Sequence, residues 1–90
     1  MIKGTTTTGF SFETDPIVLK DMEFIETLAA AMEDGTKLPT ALMMVLGADQ
    51  KKKLYDHIRN EDGRVIFDDA SREFWEILAI IRDTGGAEKN

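Results

Sequence analysis

The chain has no cysteine, and among its 90 residues there are only one histidine, one tryptophan and two prolines. Without cysteine, a disulfide framework and thiolate chemistry are excluded, which fits a reducing compartment. One histidine without cysteine cannot supply the several ligands of a usual zinc site. No apolar run is long enough for a membrane span or, after Met1, for a signal peptide. We therefore expect a soluble, cytoplasmic protein.

Basic residues are also few, with 11 Lys and Arg against 17 Asp and Glu, and the formal net charge is −6. A negatively charged surface repels nucleic-acid phosphates and anionic lipid headgroups. Nucleic acid and membrane are therefore poor candidates for the main partner. The hydrophobic fraction of 42% is sufficient for a folded domain rather than a disordered chain.

Cap and turn residues predict a mainly α fold, a small domain of about four helices with a short N-terminal β-strand or hairpin. Phe10 and Phe12 alternate with polar residues, as in a strand with one buried face. The predicted helices begin near Pro16, Pro39, Asp49 and Asp68, and they end near Gly35, Gly47, Gly63 and the pair Gly85–Gly86. We expect a single domain over residues 1–90, with the hairpin in 1–14, the helices in 15–84 and a flexible tail in 85–90.

Two helices carry apolar residues at helical spacing, which predicts the faces that they turn to the core. In the first helix these residues are Val18, Met22, Ile25, Ala29 and Met32, with Phe24 and Leu28 beside them. In the last helix they are Ala70, Phe74, Ile77, Leu78 and Ile81. Leu54, Tyr55 and Ile58 form a shorter inward face between the two.

The polar residues give no catalytic or metal-binding pattern. His57 is the only histidine of the chain, and its simplest interpretation is a partly exposed helix residue without a functional role. The acidic pairs Glu61–Asp62 and Asp68–Asp69 lack the spacing of a calcium loop. Asp62-Gly63 instead favours a turn and Asp68 a helix cap. We expect no enzymatic activity, no cofactor and no bound metal.

The one basic run, Lys51 to Lys53, lies in a stretch that faintly resembles a helix-turn-helix with Gly47 in the turn. A small DNA-binding regulator is therefore an alternative. Against it, three successive residues spread around the helix circumference rather than forming one patch. The surrounding chain is acidic, which favours a solvated helix face.

Some apolar residues exceed what one inward face can bury. Met43 and Met44 are adjacent, and in "EFWEILAII" the residues Trp75, Ala79 and Ile80 lie outside the core stripe. Either this last helix is central and wrapped by the others, or its surplus face meets another chain. Methionine and tryptophan are both common at apolar interfaces. Our candidate partner-binding residues are Met43, Met44, Trp75 and Ile80.

Three segments in order resemble the small tail assembly chaperones of long-tailed phages of Gram-positive hosts. They are "GFSFETD", "LGADQKKKLYDHIRNEDGRV" and "DDASREFWEI", and the resemblance extends roughly from Gly9 to Leu78, most of the chain. The match depends on the order and spacing of these segments, because none of them is a catalytic signature.

The resemblance implies a protein that binds the phage tape measure protein, a long helical chain, and keeps it soluble until tail tube protein polymerises around it. It implies action in the bacterial cytoplasm, absence from the mature virion, and self-association of copies along one client. It also implies a longer product made by ribosomal frameshifting. Glu88-Lys89-Asn90 is compatible with a slippery A-AAA-AAC sequence if its codons are GAA-AAA-AAC.

Overall fold

The computed structural model describes residues 1–87 and contains one β-hairpin and three α-helices. The predicted mainly α domain with an N-terminal hairpin is confirmed. In chain order the elements are β1 (Ile2–Thr5), β2 (Ser11–Thr14), α1 (Met22–Glu33), α2 (Leu38–Ile58) and α3 (Phe67–Ala87). Short 3₁₀ turns at Pro16–Lys20 and Gly35–Lys37 precede α1 and α2.

The hairpin places two phenylalanines on its buried face, as the alternating pattern predicted. The strands pair antiparallel, with Gly4 opposite Phe12. Gly9 has a positive φ of 97° and closes the turn between them. Phe10 and Phe12 are both buried, with ring centroids 6.4 Å apart. A two-stranded ribbon is unstable alone, so its apolar face packs on the helices.

The first predicted helix is divided in two, and this corrects the orientation expected for its apolar residues. Asp15 caps only the 3₁₀ turn, by accepting from the Ile17 amide. Asp21 is extended and accepts from the Glu23 amide, so α1 starts afresh at Met22. The only buried residue of α1 is Phe24, which is 1% exposed. Met22, Ile25, Ala29 and Met32, which were predicted to face the core, are exposed instead, whereas Val18 packs against the core.

A kink at Gly47 divides α2 into two helical arms, as the sequence predicted. Gly47 has φ 78° and ψ 169°, a combination that essentially only glycine adopts. The first arm buries Leu38, Ala41, Leu42, Val45 and Leu46, and the second buries Leu54. The kink therefore lets one continuous segment cover two sides of the core.

Replacing Gly47 by alanine is expected to lower the free energy of unfolding by about 1–2 kcal/mol through backbone strain. A Cβ at this position would meet no atom within 4 Å, so crowding contributes nothing. Urea denaturation of Gly47→Ala measures the effect. The exposed neighbouring residue Ala48 provides the control. Ala48→Ser is expected to change the free energy of unfolding by less than about 0.5 kcal/mol. If Gly47→Ala left the free energy of unfolding unchanged, the kink would not need this glycine.

The core lies between the hairpin, α2 and α3. The predicted stripe of α3 is confirmed: Ala70, Phe74, Ile77, Leu78 and Ile81 are all buried. Two predicted limits of α3 differ. The helix starts at Phe67, with the Ala70 amide donating to the Ile66 carbonyl, so Asp68 lies in the first turn instead of capping it. It also continues through Gly85 to Ala87, whereas Glu88 to Asn90 lie outside the described residues.

Candidate partner-binding surfaces

The four predicted contact residues divide into two exposed and two packed side chains. Met43 and Trp75 are each 43% exposed. Met44 and Ile80 are partly buried and pack against the core. Met43 and Trp75 are therefore available to a partner on the isolated chain, whereas Met44 and Ile80 offer only part of their surface.

The surplus apolar residues of α3 have different surroundings. The ring of Trp75 lies edge-on to the buried Phe74 ring, with centroids 5.3 Å apart. Ile80 packs on the hairpin, where its Cγ2 would lie 2.6 Å from a Cβ added at Gly4. Only glycine in β1 permits this approach. The hairpin thus covers Ile80, whereas Phe67 and Trp75 are the large apolar side chains of α3 that are exposed.

Met44 lines a groove between the hairpin, the first 3₁₀ turn and the middle of α2, which we call the N-terminal groove. Its volume is about 530 Å³. Its apolar lining includes Ile17, Val18 and Met44. The ionisable side chains of the lining are all acidic: Glu13, Asp15 and Asp21. An occupant would meet apolar walls with negative charge at their edges.

A second groove, the Phe67 groove, lies between the start of α2 and the start of α3. It also encloses about 530 Å³ and is lined by Leu38, Pro39, Tyr55, Val65, Phe67 and Ala70 beside Gly35 and Thr36. Among residues 1–87, no Asp, Glu, Lys, Arg or His contributes to this lining. Phe67 covers Gly35, where an added Cβ would lie 2.8 Å from the ring. The groove is apolar, and this ring forms part of its wall.

The outer stripe of α1, which consists of Met22, Ile25, Ala29 and Met32, is the surface that sequence reasoning missed. All four residues are exposed, with Met22 at 66% and Met32 at 69%. Their spacing of three, four and three was recognised from the sequence but assigned to the core. The sequence signal for the break before this stripe is Asp21, a second N-cap just before Met22 that separates α1 from Val18.

Polar side chains fix the turn of the hairpin to the helices. The Thr7 amide donates to Glu76 Oε2 at 2.7 Å, and its hydroxyl donates to Oε1 at 3.1 Å. The Thr8 hydroxyl donates to Glu73 Oε2 at 2.7 Å. His57 Nε2 lies 3.1 Å from both the hydroxyl and the carbonyl oxygen of Thr8. His57 therefore has a structural partner that the sequence did not reveal.

Glu73 is the unusual member of this cluster, because it is only 2% exposed. Its Oε1 has no hydrogen-bond partner among the described residues. The Thr8 hydroxyl is thus the one donor that the buried carboxyl group receives within residues 1–87. This arrangement joins the hairpin to α3.

The three lysines considered for DNA binding do not form one patch. Lys51 Nζ lies 4.9 Å from the centroid of the Tyr55 ring. Lys52 pairs with Asp56 at 2.8 Å. Hydrogen bonds from Lys52 and from Arg59 lower the pKa of the Asp56 carboxyl group. Two of the lysines therefore make contacts within their own helix, and no observation strengthens the DNA-binding alternative.

Residues 1–87 contain neither a cluster of metal ligands nor a membrane-spanning helix. No cluster of three or more His, Cys, Asp or Glu side chains is placed to hold a metal ion. In that same part of the chain, none of the helices combines the length and the apolar character needed to cross a membrane. The described surface is thus characterised by its apolar stripe and grooves.

Comparison with known proteins gives no relative from which a function could be transferred. No protein-family model, no curated protein and no solved structure matches the chain. The surfaces described above are therefore the observations from which a function is argued.

Proposed function

We propose that the protein is a phage tail assembly chaperone that binds the tape measure protein and keeps it soluble during tail tube assembly. The observation that carries the proposal is the number of large apolar side chains left exposed on a small acidic domain. These are Met1, Ile17, Met22, Ile25, Met32, Met43, Ile66, Phe67 and Trp75. Single exposed apolar residues are ordinary, but aligned ones mark an interaction surface.

The physical requirements of the task agree with these properties. A long helical client with an apolar face aggregates unless that face is covered. A binder with flexible methionines accepts apolar partners of different shape. A net charge of −6 keeps the binder itself soluble while its apolar surface is free. The order of the three sequence segments that resemble the chaperone family supports the same function.

The proposal includes the partners and location that accompany this function. The client is the tape measure protein, many copies line up along it, and neighbouring copies touch one another. Tail tube protein displaces them as the tube grows. The protein then acts in the cytoplasm of the bacterial host and is absent from the finished virion.

Co-expression with the tape measure protein tests the proposal. We expect this client to be mostly insoluble alone and to move into the soluble fraction with the chain, because its apolar helical face is then covered. A client that stays equally insoluble with and without the chain would overturn the proposal. Binding that persists at high salt distinguishes apolar capture from nucleic-acid binding, which weakens steeply as salt rises.

A further inference from the structure

The outer stripe of α1 has the geometry of one side of a helix–helix seam. Met22, Ile25, Ala29 and Met32 follow the alternating three- and four-residue spacing of a coiled-coil interface. With about 100° per residue, they fall within about 80° of the helix circumference. From Met22 to Met32 the stripe is about 15 Å long, which is roughly three helical turns.

This stripe is separate from the face by which α1 joins its own domain. Phe24 is buried, and Leu28 is partly buried against the core. Phe24 lies about 120° and Leu28 about 80° around the helix from the centre of the stripe. The domain thus holds α1 by one face and leaves a second apolar face without a partner among residues 1–87.

The charges beside the stripe all have the same sign. Glu26 and Glu33 follow one edge and Asp21 the other, and all three are exposed. The twelve residues of α1, MEFIETLAAAME, contain no lysine or arginine. Charges beside a helical seam select the partner, because opposite charges attract across it and like charges repel.

These charges exclude a second copy of α1 as the favoured occupant. In an antiparallel pair, Glu26 and Glu33 would face the same two residues of the other copy. In a parallel pair they would face the edge that begins with Asp21. Either arrangement places acidic side chains against acidic side chains across an exposed seam.

We infer that the outer stripe of α1 docks an amphipathic helix of a partner protein, one with an apolar stripe of matching spacing bordered by lysine or arginine. The partner's apolar residues pack between Met22, Ile25 and Met32, whose flexible side chains adapt to them. Its basic residues lie beside Glu26 and Glu33. The inference rests on the proposed function for the source of this helix, a basic segment of the client, but its chemistry is fixed by α1.

Two designed peptides of about 21 residues, three heptads, test this chemistry directly. Both carry leucine at the seam positions, one with lysine and the other with glutamate at the flanking positions. By isothermal titration, we expect the basic peptide to bind at least about tenfold more tightly than the acidic one. Equal affinities, or no binding of the basic peptide, would overturn the inference.

Paired substitutions assign the binding to α1. The double substitution Ile25→Glu, Met32→Glu should lower the affinity for the basic peptide at least about tenfold, because it places charge in the apolar seam. Lys53→Glu, at an exposed position of α2, changes the net charge by the same amount and should leave the affinity unchanged. An equal loss of affinity for the basic peptide in both variants would overturn the assignment to α1. Circular dichroism checks that each variant remains folded.

A charge exchange provides a test that leaves the apolar stripe intact. Glu26→Lys with Glu33→Lys should reverse the preference, so that the acidic peptide binds more tightly than the basic one. An unchanged preference would overturn the role of these edges. Sedimentation of the chain alone tests the competing occupant, because a dimer that Ile25→Glu dissociates would assign the stripe to a second copy.

The outcomes separate this inference from the proposed function. If co-expression keeps the tape measure protein soluble and the Ile25→Glu, Met32→Glu variant does so equally well, the chaperone function stands and the α1 inference fails. If the basic peptide binds to α1 and co-expression leaves the client insoluble, the inference stands and the chaperone function fails.

Discussion

Replacing Phe24 by alanine is expected to lower the free energy of unfolding by about 3–5 kcal/mol. Phe24 is the only buried residue of α1, and its ring is enclosed by the core. Its removal deletes a large apolar contact and leaves a cavity that the surrounding side chains fill only in part. For a domain whose total stability is of the order of 5–15 kcal/mol, this is a large fraction. Urea denaturation followed by circular dichroism measures it.

Met32→Ala is the matched control, because both residues belong to α1 and both substitutions leave alanine. Met32 is exposed on the outer stripe, so we expect a change of less than about 0.5 kcal/mol. The two variants together test the orientation of α1. If Met32→Ala were the more damaging of the two, the stripe would face the core, as its spacing alone predicted, and it would not be a docking surface.

Thr8→Val is expected to lower the free energy of unfolding by about 2–3 kcal/mol, an unusual loss for a threonine in a hairpin turn. The substitution keeps the shape of the side chain and removes the hydroxyl that donates to Glu73 Oε2. Oε2 of the buried Glu73 carboxyl group then loses this donor, and Oε1 already has no donor within residues 1–87. A buried polar group without a partner pays nearly its full desolvation cost.

Two companion variants make this prediction specific. Thr8→Ser keeps the hydroxyl and should remain within about 1 kcal/mol of the parent. The double variant Thr8→Val, Glu73→Leu should be less destabilised than the sum of its single changes, because both members of the polar pair are then apolar. Strict additivity would contradict an energetic connection between Thr8 and Glu73. Thermal and urea unfolding give the required free energies.

The orientation of α1 is an example in which the local hydrophobic pattern does not determine which face of a helix is buried. The helix carries two apolar stripes: the outer one contains Met22, Ile25 and Met32, and the inner one contains Phe24 and Leu28. Their spacings are equally regular, so periodicity alone does not choose between them. The extended residue Asp21 separates α1 from the preceding turn, so Val18 and the outer stripe belong to different elements. The choice between the two stripes is made by the packing of Phe24 in the core, a tertiary effect.

The stripe of α3 was predictable for the opposite reason. Its buried residues include Phe74, Ile77, Leu78 and Ile81. They form the longest run of bulky apolar residues at helical spacing, and no competing stripe of similar size exists in that helix. Trp75 and Ile80 were correctly separated from it. The hairpin covers Ile80 but not Trp75. This difference depends on the close approach between Gly4 and Ile80, which no local sequence pattern encodes.

The polar cluster was beyond prediction because its members are far apart in the chain. Glu73 stands in a charged stretch typical of an exposed helix start. Its hydrogen-bond donor, Thr8, lies 65 residues earlier. His57 lies 49 residues from the same threonine. Only the fold brings these three residues together, so the sequence indicated only a partly exposed histidine.

The bonds between the hairpin turn and α3 have a consequence for the order of folding during synthesis. Thr7 and Glu76 are 69 residues apart, a distance that translation covers in about 3–14 s at roughly 5–20 residues per second. Until α3 emerges from the ribosome, the hairpin lacks the helix to which its turn is bound, and contacts of such long range form late. The apolar side chains of Phe10 and Phe12 therefore remain incompletely covered for several seconds. By the proposed function, this protein protects the apolar surface of another chain, yet during those seconds its own nascent chain is exposed to the same risk of aggregation.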